Sequence, residues 1–95
     1  MTTPRSHAAL AVAPIGLIVG HVYEAKRPKS VGVFEPLMND RQIKWIGSEE
    51  VQYDSPTVGL GRRYPRVSKE AFLKWAARDI TKEMPPDEWR RGGGV

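Results

Sequence analysis

Basic side chains set beside glycines are the groups in this chain whose types and spacing can do chemistry. Gly59-Leu60-Gly61-Arg62-Arg63 places two guanidinium groups directly after a glycine-broken turn. Glycine lets backbone amides converge on an anion, and arginine presents a planar pair of donors to phosphate or carboxylate. This is not a nucleotide-binding P-loop, because GxxxxGK[ST] must open a helix, and here an extended run containing Pro65 follows. Arg66, Lys69, Lys74 and Arg78 bring the cations between residues 62 and 78 to six. Arg62, Arg63, Arg66, Lys69, Lys74 and Arg78 are therefore the candidate binding residues. Their chemistry is phosphate contact, with an affinity that falls steeply as salt rises. Tyr64, and Trp89 beside Arg90 and Arg91, supply rings for stacking. Lys26, Arg27 and Lys29 form a second, smaller basic cluster.

Catalytic constellations are missing from the sequence. The histidines are His7 and His21, with no HExxH or paired spacing, so no metal site is expected. Ser30, Ser48, Ser55 and Ser68 have no accompanying His–Asp pattern and no GxSxG elbow. The absence of cysteine excludes disulfides, thiol nucleophiles and thiolate-held metals. No enzyme activity, catalytic residue or cofactor is expected.

The elements that must position the cations are short. Ninety-five residues make one small domain, punctuated by eight prolines and nine glycines, which favours strands and turns over a helical bundle. The net charge of +4 is uneven: residues 31–55 hold two Lys/Arg against five Asp/Glu, and residues 56–80 hold six against two. The apolar run over residues 8–20 follows one arginine and is broken by Pro14 and Gly16, which argues against a secretory signal. It is also too short to span a bilayer, which takes roughly 20 residues. The expectation is a cytoplasmic protein without membrane contact. Residues 1–13 are expected as an N-terminal tail, 14–84 as a single α+β domain and 85–95 as a flexible C-terminal tail.

Within that domain a first strand is expected near residues 15–19, a second over 21–25, a basic turn at 26–30 and a strand over 31–37. Residues 42–46 and 51–53 alternate as a hairpin, which would put Ile43, Trp45, Val51 and Tyr53 on one face. Arg62 to Val67 reads as a short strand. Ser68 is a good N-cap, and Phe72, Leu73, Ala76 and Ile80 recur at helical spacing, which predicts a helix over about 68–82 stopped before Pro85–Pro86. Lys74 and Arg78 would then share its exposed face. The expected architecture is a small antiparallel sheet or SH3-like barrel of four or five strands followed by that helix.

Residues 56–77, PTVGLGRRYPRVSKEAFLKWAA, resemble the wing and last helix of MerR-like excisionase DNA-binding modules through Pro56, Gly61, Arg62, Arg63, Tyr64, Ser68, Glu70, Ala71 and Trp75. The resemblance implies that Arg62 and Arg63 lie against a DNA backbone or minor groove. In that family a helix-turn-helix precedes the wing, where this chain has the alternating residues 39–53. The expected function is a small non-enzymatic nucleic-acid-binding accessory or regulatory protein, of the kind carried by phages or other mobile elements. Its partner is expected to be DNA in preference to RNA. The alternative is a protein-interaction module or inhibitor that docks on an acidic surface through its sheet face and Trp45, Tyr53 and Trp89. A homodimer would enlarge so small a core.

Overall fold

The computed structural model describes residues 15–92, and the expected tail over residues 1–13 lies outside them. The described elements run β1 (Val22–Ala25), β2 (Ser30–Val31), β3 (Leu37–Met38), β4 (Arg41–Ile46), β5 (Glu50–Asp54), β6 (Arg66–Ser68), α1 (Lys69–Trp75) and β7 (Ala76–Asp79), then a 3-10 turn at Thr81–Glu83. Five strands form one antiparallel sheet in the order β6-β5-β4-β1-β7, and β2 and β3 form a separate two-stranded sheet. The fold is α+β. Its larger sheet stays open, because the edge strands β6 and β7 are joined by α1 instead of pairing into a barrel.

Alternation along the strands builds the core. Tyr23, Ile43, Val51 and Tyr53 leave one face of the sheet and pack on Phe72 and Ala76. Phe72 is fully buried, edge-on to Tyr23 with ring centroids 5.4 Å apart. Burying such a side chain stabilises the fold by about 1.5–3 kcal/mol. The Tyr23 hydroxyl donates to the Gly16 carbonyl (2.7 Å) and accepts from the Ile18 amide (2.9 Å). These two bonds hold Ile15 and Leu17 over the core without a strand. The strand expected at residues 15–19 is absent: the Ile18 amide and the Gly16 carbonyl bond the Tyr23 hydroxyl and not a neighbouring strand.

The β4–β5 hairpin corrects the expected facing of Trp45. Ile43 pairs with Tyr53, but Trp45 pairs with Gln52 and Ile46 with Val51, so the register shifts around Lys44. One extra residue in a strand reverses the facing of everything beyond it. Ile46 therefore packs against the core, while Trp45 joins Gln52 and Arg66 on the outer face.

The helix is shorter than its periodicity predicts. Ser68 caps it, its hydroxyl accepting from the Ala71 amide at 3.0 Å, but it ends at Trp75 and Ala76 turns extended. Residues 76–79 become a strand because β1 offers a buried edge: Ala25 pairs with Ala76, Glu24 with Arg78 and Tyr23 with Asp79. Helix propensity differs between residues by less than about 1 kcal/mol and yields to such pairing. Ala76 and Ile80 are buried from strand and turn positions, and Leu73 is left exposed.

Residues 85–92 do not leave the domain as the expected tail. Met38 N–H donates to the Arg90 carbonyl (2.9 Å) and Gly92 N–H to the Pro36 carbonyl (3.0 Å), which lays this segment along β3. Arg90 clamps the fully buried Asp40 with two hydrogen bonds of 2.8 Å, and its guanidinium is held more firmly charged by them. No helix among the described residues is long and apolar enough to cross a membrane.

Candidate anion-binding site

The sheet's polarity decides which cations meet. Every pairing is antiparallel, so β1 and β5 run one way and β4, β6 and β7 the other. Ala25, Arg41, Asp54 and Ala76 consequently lie at one end. Residues 26–40 and 55–65 connect strands at this end, and α1 finishes here, with Lys26 N–H donating to the Trp75 carbonyl at 2.8 Å.

Three adjoining clefts open there. The first, about 410 Å³, is lined by Arg27, Lys29, Asn39, Arg41, Thr57 and Trp75. A second shares Arg27 and Trp75 and adds Lys26 and Lys74. The third shares Thr57 and brings Tyr53, Arg62 and Arg63. No carboxylate lines any of them, so seven cations face one surface. The basic turn is fixed in place by the buried Asn39, whose side-chain oxygen accepts from Lys29 N–H at 3.0 Å and whose backbone N–H donates to the Lys29 carbonyl at 3.0 Å.

Arg41 stands at the centre of this arrangement. Its guanidinium carbon lies 4.2 Å from the Tyr53 ring centroid and 4.1 Å from that of Trp75, so aromatic rings cover it. Such contacts contribute about 0.5–2 kcal/mol each and orient the group. Among the described residues no carboxylate pairs with it and no side-chain hydrogen bond engages it, although Arg66, Arg78, Arg90 and Arg91 all have acidic partners. Burial lowers its pKa, which means that its charged form is incompletely solvated.

The six cations singled out by sequence divide between this surface and elsewhere. Arg62, Arg63 and Lys74 belong to the basic end. Arg66 lies on the outer face, 4.9 Å over the Trp45 ring and 3.9 Å from Glu50. Lys69 is at the opposite end, where its amide donates to the Glu49 carbonyl. Arg78 is on the far edge strand, not on the helix with Lys74, and is bound to Glu24 (2.8 Å) and Glu83. Of the aromatic residues expected as protein anchors, Trp45 is exposed, Trp89 half-buried and Tyr53 buried.

Sequence reasoning gave no role to Arg41, although a signal existed. Two-residue alternation puts Arg41 on the same face as Ile43, and an inward-facing arginine needs a partner. That its partners are Tyr53 and Trp75 follows from the tertiary fold. A separate cleft of about 500 Å³ on the outer face includes Asp54, Asp87 and Glu88 and so has the opposite electrostatic character. No group of three or more histidine or acidic side chains able to hold a metal occurs among the described residues. The wing-like run keeps a Ser-capped helix, but strands β4 and β5 precede it.

Comparison with known proteins finds no matching family model, no curated protein and no solved structure.

Proposed function

We propose that this chain is a small non-enzymatic nucleic-acid-binding protein, of the accessory or regulatory kind, that holds phosphates with the basic end of its sheet. One observation carries the reading: Lys26, Arg27, Lys29, Arg41, Arg62, Arg63 and Lys74 come from four separate segments to clefts with no acidic lining. A merely solvated surface has no need to exclude carboxylates in this way, and mixed charge is the common condition of protein surfaces. Spacing several cations over adjoining clefts suits a run of phosphates, whose counterions are released on binding. Arg62 and Arg63 keep the backbone-contacting role that their wing-like setting implies, and that setting favours DNA. A cytoplasmic location accords with this partner.

Fluorescence anisotropy with labelled duplex DNA and single-stranded RNA tests the proposal, at roughly 50 and 200 mM salt. The expected result is binding that weakens by several tenfold steps with salt and is lost in the double variant Arg62→Glu/Arg63→Glu. Absence of binding to either polymer at low salt would refute it.

A second reading, docking on an acidic protein surface, is favoured by exposed apolar residues in the same connections. Phe34 and Val33 lie between β2 and β3, and Leu60 lies between Gly59 and Gly61; all three are almost wholly exposed. Aromatic side chains beside arginines are frequent anchors of protein interfaces. Under this reading Phe34→Ala and Leu60→Ala abolish partner capture and leave DNA titrations unchanged.

A further inference from the structure

The cleft around Arg41 differs from the remainder of the basic end. A polymer backbone lying across a surface needs only solvated charges that adapt to it. Arg41 is instead half-buried beside the rings of Tyr53 and Trp75, and no protein acceptor among the described residues engages its guanidinium. The guanidinium offers two parallel N–H groups that match two oxygens of one tetrahedral anion. Arg41 itself lines the cleft.

The cleft's other lining groups set the charge and size of a fitting ligand. Arg27 and Lys29 bring the local charge to +3 with no carboxylate opposing, while Asn39 and Thr57 supply polar contacts. A dianion satisfies this better than the single charge of a phosphodiester or a carboxylate. The volume of about 410 Å³ lies in the lower part of the range of about 300–1,000 Å³ for small-molecule pockets, which leaves room for a sugar beside a phosphate.

We infer that the Arg41 cleft is a site for a single phosphomonoester group, gripped by Arg41 and neutralised by Arg27 and Lys29. The phosphomonoester comes either from the end of a nucleic-acid strand or from a free sugar phosphate. The site itself stands whether or not a polymer lies across the surrounding surface.

The Nε–H resonance of Arg41 in ¹⁵N-labelled protein reports the contact. Titration with inorganic phosphate and with ribose 5-phosphate is expected to shift this resonance saturably, whereas chloride does not. Arg41→Lys keeps the charge but loses the planar donor pair, and is expected to weaken ribose 5-phosphate binding about tenfold or more, read from the tryptophan fluorescence. Lys29→Ala leaves Arg41 in place and is expected to weaken binding about fivefold, which keeps the test open if the Arg41 variant fails to fold.

A 5′-phosphorylated oligonucleotide is then compared with its 5′-hydroxyl counterpart. Preference for the phosphorylated form, lost in Arg41→Lys, supports the site and identifies a strand end as its source. Equal oligonucleotide affinities together with saturable ribose 5-phosphate binding support the site and identify a free ester. An Arg41 resonance unmoved by both phosphates overturns the inference even if the polymer binds. Conversely, failure of both oligonucleotides with retained ribose 5-phosphate binding refutes the nucleic-acid proposal and supports the pocket.

Discussion

Two double variants that remove equal charge separate a built surface from general basicity. Arg27→Ala/Lys29→Ala takes two cations from the carboxylate-free clefts. Arg66→Ala/Arg78→Ala takes two that already have acidic partners, Glu50 for Arg66 and Glu24 with Glu83 for Arg78. If all seven cations of the basic end meet phosphates of duplex DNA, the slope of log affinity against log salt is about −6, at roughly 0.9 per contact. Losing two contacts flattens it to about −4.5 and, near 0.1 M salt, weakens binding about 60-fold. Arg66→Ala/Arg78→Ala is expected to leave the slope unchanged and the affinity within about threefold, since exposed, already paired charges contribute little. Fluorescence anisotropy across a salt series reads both quantities, and thermal melts confirm that each variant is folded. Equal losses from the two variants would refute the localisation, because net charge alone would then govern binding.

The remaining predictions concern how the surface is supported. Arg90→Ala leaves the buried Asp40 carboxylate without its two 2.8 Å bonds; unpaired buried charges cost about 3–5 kcal/mol, and the partial exposure of Arg90 places the expected loss near 3 kcal/mol by urea unfolding. A loss below about 1 kcal/mol would show that the C-terminal clamp adds little to the fold. Burial by itself would raise the pKa of Asp79, but hydrogen bonds from His21 and from the Thr81 hydroxyl and amide more than reverse this and hold it below its ordinary value. Its contribution is therefore complete above the ordinary carboxylate value of about 3.9 and fades as pH falls through the lower folded-state value. Asp79→Asn is thus expected to be destabilising at neutral pH, with its difference from wild type shrinking in acid, and a deficit that is constant with pH in melts would contradict this. Gly47→Ala would set a Cβ 2.3 Å from the Trp45 ring, so it is expected to displace the indole, alter tryptophan fluorescence and cost about 1 kcal/mol. An unchanged spectrum would mean that the ring does not lie over Gly47.

What the sequence determined by itself was local. Ser68 offers a hydroxyl to the first turn whatever lies nearby, and the alternation of Ile43, Val51 and Tyr53 defines a buried face without reference to the rest of the chain. Absence of cysteine and of metal-ligand spacing is likewise complete at the level of sequence. The tertiary structure decided whatever depended on a partner distant along the chain. Ala76–Asp79 has the composition of a helix and becomes a strand because β1 has an edge to pair. The register shift around Lys44 turns Trp45 outward and Ile46 inward, a choice that the alternation on either side does not contain. The candidate site was legible to the same degree. Arg62, Arg63 and Lys74 could be named from spacing, and Lys26, Arg27 and Lys29 could be seen as a cluster. Only strand polarity brings these groups to one end of the sheet, and only packing places Trp75 against Arg41, 34 positions earlier in the chain. Adjacency in sequence makes a charge run, but a binding surface also requires that carboxylates be kept away, and that is a property of the folded chain.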